Sequence, residues 1–148
     1  MTPDAKEADA RVRDSFARQT IMTTLGAVVA AVRLGEVEIV LPFSDKILQQ
    51  HNFIHAGAVA TIADSACGYA ALSVMPRDAA VLTTEFKINL LAPAKGERLR
   101  AIGRVVRSGK KLVITLGEVF AEEGGARKQV ALITATMMVV DTGTGLRD

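Results

Sequence analysis

The chain has 148 residues, of which 49% are hydrophobic and 23% charged, with a formal net charge of +2 and no tryptophan. That size suits one domain around one core, expected over residues 1–148 with its centre at about 26–140, and no basic run interleaved with aromatics supports a nucleic-acid surface. Cys67 is the single cysteine, which excludes an internal disulfide and fits a reducing cytoplasm, while the opening residues MTPDAKEADARVRDS are too charged for the apolar core of a secretory signal.

From Asp4 to Gln19, Ala5, Ala8, Val12 and Phe16 recur at helical spacing among charges and predict a short amphipathic helix. Gly26 to Arg33 is apolar and β-branched. Gly35 then allows a turn into EVEIVLPF, where Val37, Ile39, Leu41 and Phe43 alternate with Glu36 and Glu38, so a hairpin with one wet face is expected. Ser44 to Ile54 lacks a period and reads as a loop. Ala56 to Met75 reads as a buried helix, stopped by Pro76. A membrane span is excluded for it, because Asp64 at its centre would cost roughly 2.5–3.5 kcal/mol and alanine offsets little of that. Thr83–Leu91, Arg98–Val106, Lys111–Phe120 and Lys128–Val140 read as four consecutive strands of a meander, and Asp141 to Asp148 as a frayed end. The expected fold class is therefore α+β: one long helix wrapped by a curved antiparallel sheet of five to six strands, with a short N-terminal helix. Such a sheet leaves an edge strand and part of the helix uncovered, which favours pairing with a second copy.

Asp64 is the only charged residue between His55 and Arg77. Burying a carboxylate is costly unless it is paired or hydrogen-bonded, so Asp64 predicts either a structural partner (backbone amides, Tyr69 or a threonine) or a chemical use. The start of the same helix, at Ala56, Gly57 and Ala58, offers free N–H groups suited to a developing oxyanion. Asp64 lies two turns further on, roughly 10–12 Å away, too far for both to serve one carbonyl. A site shared between two subunits resolves that distance. His51 and His55 sit in a loop with no nearby Glu to complete a metal site, Ser65 and Thr61 lack a general base, and Cys67 reads as an inert buried thiol.

The run His55-Ala56-Gly57 followed by Asp64, and then TTEFKINLLAPAKGERLRAIGRVVRSGKK, resembles the hotdog-fold acyl-CoA thioesterases of the phenylacetate-pathway type, over roughly residues 26–140. The resemblance implies hydrolysis of acyl-CoA to free acid and CoA, without metal or other cofactor, by a cytoplasmic homodimer or dimer of dimers (a homotetramer) with its site at the subunit interface. It implies Asp64 as general base or nucleophile and the N–H of Ala56, beside Gly57, as the group that polarises the thioester carbonyl. Gln49 stands where the family often has an asparagine that holds the lytic water, and Thr83 where it has a Ser or Thr. His-Ala-Gly replaces the usual His-Gly-Gly, and Asn52 replaces a glycine three residues before the histidine. Asn52 and His55 are substrate-binding candidates. Arg107, Lys110 and Lys111 bracket the Ser108-Gly109 turn and suit CoA phosphates, with Lys95 and Arg98 as a second set. Two other classes remain open: an acyl-thioester dehydratase or hydratase using His55, and a non-catalytic acyl-CoA-binding protein.

Overall fold

The computed structural model describes residues 1–148, with the side chain of Thr142 outside the description. Helix α1 (Ala5–Ala17) opens on a capping box: the Asp4 carboxylate accepts from the Glu7 N–H, and the Glu7 carboxylate accepts from the Asp4 N–H, each at 2.9 Å. Its Val12 is buried, and its Arg11 donates to the carbonyls of Pro76 (3.0 Å) and Ala79 where the long helix ends. A short α2 (Thr20–Leu25) follows and closes at Gly26. Six residues are too few to display a period, so this helix was not among the expected elements.

Strands β1 (Val28–Arg33) and β2 (Glu36–Pro42) form the expected hairpin, with Val37, Ile39 and Leu41 fully buried, although Phe43 is exposed. Helix α3 (Ala56–Leu72) and strands β3 (Ala80–Leu90), β4 (Arg98–Ser108), β5 (Leu112–Glu123) and β6 (Ala126–Val140) complete the fold. Between β5 and β6, Gly124 and Gly125 both take positive φ (56° and 80°), which a two-residue turn matched to strand twist requires.

All six strands form one antiparallel sheet in the order β1-β2-β4-β5-β6-β3. This corrects the four-strand meander. Only β4, β5 and β6 follow one another through tight turns, and β4 pairs with β2. The longer Leu91–Glu97 link carries the chain from β3, on the far side of α3, past the helix start, where the Ile54 N–H donates to the Ala94 carbonyl at 2.8 Å. The sheet thus wraps the helix, with β1 and β3 as its edges.

α3 rests on the sheet because two glycines make room for it. Gly103 and Gly117 sit opposite each other on β4 and β5. A Cβ on Gly103 would stand 2.3 Å from the Ala66 carbonyl carbon, and one on Gly117 would stand 2.8 Å from the Cys67 sulfur. Ala63, Ala66, Cys67 and Ala70 fill that contact and are buried. Burial of α3 is nevertheless incomplete, contrary to expectation: Ala56 and Gly57 are exposed, and Ala60, Thr61, Asp64, Ser65 and Gly68 are half-buried, forming one stripe along the helix. Nor does the tail fray as expected: the Asp148 carboxylate accepts from the Val81 N–H and from the Ser15 hydroxyl. Among the described residues, no helix is long and apolar enough to cross a membrane.

Candidate active site

Site construction starts at the head of α3. His55 is the N-cap, with φ −60° and ψ 139°, and its Nδ1 accepts from the Gly57 N–H at 2.7 Å. That bond requires Nδ1 to be unprotonated, so the neutral ring carries its proton on Nε2. The His55 carbonyl accepts from Ala58 (2.9 Å) and Val59 (3.2 Å). Of the three helix-start amides expected to face an oxyanion, those of Gly57 and Ala58 are therefore already bonded. The N–H of Ala56 alone has no partner among the described residues. Gly57 instead lets the cap close, because a Cβ there would stand 3.0 Å from His55 Nδ1.

Ala56 opens onto a cleft of about 470 Å³ whose apolar walls include Phe53, Ile54, Val59, Leu90, Pro93 and Val130. Gln49 and His55 are its polar lining. The Gln49 carboxamide oxygen accepts from the backbone N–H groups of His51 and Phe53, so it braces the loop while its NH2 group stays unengaged. Asn52 lies outside the cleft lining. Among the described residues it is the one non-glycine with positive φ, at 66°, inside a turn closed by the Gln49 N–H donating to the Phe53 carbonyl at 2.8 Å. Asparagine tolerates this left-handed conformation, which explains why it stands where the resemblance has glycine.

Asp64 faces elsewhere. Its Oδ1 accepts from the Thr83 hydroxyl at 2.8 Å, so a threonine is its hydrogen-bond partner. Burial pushes the Asp64 carboxyl above its ordinary value, and the Thr83 hydrogen bond pulls it partly back. On one side lies a polar hollow of about 90 Å³ with Ser65, Tyr69 and Asp148, and on the other an open groove with Ile21, Thr61 and Phe86. The nearby Cys67 thiol is buried and pushed up to about 12, which leaves it unreactive.

One chain does not bring Asp64 and Ala56 together. They are separated by eight helical positions, ~12 Å. Thr83 and Leu90, which mark the two places on β3, lie seven residues and ~23 Å apart. Arg107, Lys110 and Lys111 are exposed at the Asp64 end of the sheet, where the Val139 N–H donates to the Lys111 carbonyl at 2.8 Å. Val139 is nine residues, ~30 Å of strand, from the cleft residue Val130. The cleft walls have little sequence signature, because they come from the 49–54 loop, α3, the end of β3, the Leu91–Glu97 link and β6. Their one local signal is the apolar run Leu90-Leu91-Ala92-Pro93-Ala94.

Comparisons with known proteins agree with this architecture. The profile of the thioesterase superfamily matches residues 51–128, a span that contains Ala56, Asp64 and Thr83. A candidate esterase of Halobacterium salinarum is 31% identical over 111 residues, 72% of this chain and 73% of that one. The crystal structure of a thioesterase family protein from Silicibacter pomeroyi superposes with a TM-score of 0.89 at 46% identity, covering 90% of this chain and 98% of that one. The PaaI protein of the E. coli phenylacetic acid degradation operon superposes with a TM-score of 0.83 over 92% of this chain and 95% of that one, and at 20% identity it attests the hotdog fold alone.

Proposed function

The chain belongs to the thioesterase superfamily and hydrolyses acyl thioesters, and from that premise we propose that its substrates are acyl-CoA esters, cleaved at a site shared between two copies of the chain. The observation that carries the reading is the separation just described: a free amide at an apolar cleft and a half-buried carboxylate, placed ~12 Å apart on one helix. Between them runs β3, an unpaired edge. Its Leu82, Phe86 and Leu90 are 45%, 43% and 53% exposed, beside the uncovered stripe of α3. A long edge strand with large exposed apolar side chains calls for a covering strand.

Pairing β3 antiparallel with its own copy about a two-fold axis near Phe86 and Lys87 sets Thr83 of one chain opposite Leu90 of the other. Asp64 of one chain then faces the Ala56 cleft of its neighbour, and two equivalent sites form. The assembly is a dimer, or a dimer of dimers in which this pair is the unit. In the same pairing, Val81 of one chain stands opposite Ala92 of the other, which carries the turn with Arg107, Lys110 and Lys111 toward the neighbouring cleft mouth and within reach of CoA phosphates.

The reaction then follows. The thioester carbonyl oxygen accepts the Ala56 N–H, which stabilises the charge that develops on it. Ionised Asp64, held by Thr83, takes a proton from water as the water oxygen bonds to the carbonyl carbon, and the free NH2 of Gln49 orients that water. The C–S bond breaks, the proton passes from Asp64 to the departing sulfur, and acid and CoA thiol are released. Direct attack by Asp64, through a mixed anhydride that water then opens, uses the same geometry. No metal or other cofactor is required. A reducing cytoplasm suits the lone Cys67. The test is a panel of acyl-CoA esters assayed for thiol release: turnover of at least one ester is expected, and absence of free thiol from every ester overturns the acyl-CoA reading.

A further inference from the structure

A thioester has two arms, and the spaces open to them beside Asp64 are unequal. In the paired chains Thr83 and Val81 stand opposite Leu90 and Ala92 of the other chain. The polar hollow that Val81 and Thr83 line therefore faces the apolar cleft across the subunit boundary. The groove at Phe86 stands opposite Lys87 of the other chain instead, away from the cleft. The long CoA arm needs the cleft of about 470 Å³, which leaves the hollow of about 90 Å³ to the acyl group. Liquid water takes ~30 Å³ per molecule, so the hollow has room for about three heavy atoms. Gly68 adds no side chain to it, and a Cβ there would meet nothing within 4 Å.

The lining of the hollow is polar and only partly satisfied. Asp148 reaches it from the tail, with Oδ2 accepting from the Val81 N–H at 2.5 Å and Oδ1 from the Ser15 hydroxyl at 3.2 Å. Ser15 has one proton to give and a carboxylate only accepts, so the Tyr69 phenol, 3.2 Å from Ser15 Oγ, donates to Ser15. Burial pushes that phenol above its ordinary value, which keeps the proton on it. The Tyr69 oxygen and the remaining lone pairs of Asp148 are left as acceptors. Gln19 supplies the complementary donor. Its Oε1 accepts from the Ser65 hydroxyl at 3.4 Å, while its NH2 group has no partner among the described residues. Gln19 is also the N-cap residue of α2, yet its side chain makes no capping bond there.

We propose that Gln19, Tyr69 and Asp148 form a specificity pocket for short acyl groups that end in a hydroxyl. This rests on the acyl-CoA reading and the shared site, and it names the acyl class. With the thioester carbon between Ala56 and Asp64 and the next carbon beside Asp64, two further carbons and a hydroxyl fill the hollow. The hydroxyl donates to Asp148 or Tyr69 and accepts from the Gln19 NH2 group. A methyl of the same size would leave those buried groups unpaired. A terminal carboxylate would meet the charges of Asp64 and Asp148.

The test compares 4-hydroxybutyryl-CoA with pentanoyl-CoA, its equal in acyl heavy atoms, and with succinyl-CoA. In the parent, kcat/KM is expected to be about tenfold or more higher for the hydroxyacyl ester than for pentanoyl-CoA, and lowest for succinyl-CoA. Gln19→Leu is expected to bring the ratio of hydroxyacyl to pentanoyl ester to about one. Asp148→Asn keeps an oxygen for Val81 and Ser15 while removing the charge, and should raise succinyl-CoA about tenfold relative to pentanoyl-CoA. A merely structural role would lower all three esters together. A parent that prefers pentanoyl-CoA or treats it equally overturns the proposal, as does an unchanged ratio in either variant. If the parent releases thiol from no acyl-CoA, the functional reading fails. Calorimetry with free 4-hydroxybutyrate and pentanoate then decides the pocket: tighter binding of the first, lost in Gln19→Leu, supports it, and equal or absent binding overturns it.

Discussion

Two faces of α3 are built from the same kind of residue and do opposite things. On the face against the sheet, Ala63, Ala66, Cys67 and Ala70 are small so that backbone can meet backbone at Gly103 and Gly117. On the other face, Ala56, Gly57, Ala60, Thr61, Ser65 and Gly68 are small and stay uncovered, with the carboxylate of Asp64 among them. Smallness gives close packing in the first case and access in the second. Composition alone does not tell the two apart, and only the wrapping of the sheet assigns each face its part.

The largest expected effect lies on the open face. Asp64→Asn should reduce thiol release by ~10³-fold or more, the scale of a lost general base. It should also stabilise the fold. Because burial raises the native pKa of Asp64, the native state holds that proton more tightly than the unfolded chain does. Stability is therefore greatest below the ordinary value of 3.8 and is lost as pH rises through the raised native value. Asparagine removes that loss, so thermal melts should show the variant gaining on the parent between pH 4 and pH 8. A variant that gains nothing at pH 8 would deny that Asp64 is strained by burial.

Next in size is the packed face. Gly103→Ala forces a Cβ onto the Ala66 backbone, which no rotamer change relieves, and should cost ~1–3 kcal/mol or more in urea unfolding. The smallest effect returns to the open face. A Cβ on Gly68 meets nothing within 4 Å in the single chain. Gly68→Ala should thus stabilise the isolated fold by up to ~1 kcal/mol through helix propensity. A loss at Gly68 comparable to that at Gly103 would mean that a neighbouring copy packs closely on the stripe.

Much of this arrangement is legible locally. Asp4 and Glu7 announce a helix start, the alternation in EVEIVLPF announces a half-buried strand, Pro76 bounds α3, and Gly124-Gly125 announces a turn. Asp64 stands out because its neighbours are apolar, which is a property of the string itself. What escapes is non-local. Placing β3 beside β6 rather than β4 depends on pairings such as Phe86 with Ala135, across 49 residues and with no short turn to betray them. The tail is anchored by Asp148 reaching Val81 and Ser15. Histidine is not among the favoured N-caps, so the loss of the Gly57 amide to His55 has no sequence signature.

The shared site is tested most directly by mixing two dead variants. Ala56→Pro removes the free N–H at the first helical position, where proline is tolerated, and ψ 139° at His55 already suits a residue that precedes proline. Asp64→Asn removes the carboxylate. Neither variant alone should hydrolyse acyl thioesters at an appreciable rate. Unfolded together and refolded as a mixture, they should recover up to about a quarter of parental activity, since half of randomly formed dimers carry one intact site of two. A mixture no more active than its separate components would place amide and carboxylate in the same chain and contradict the shared site.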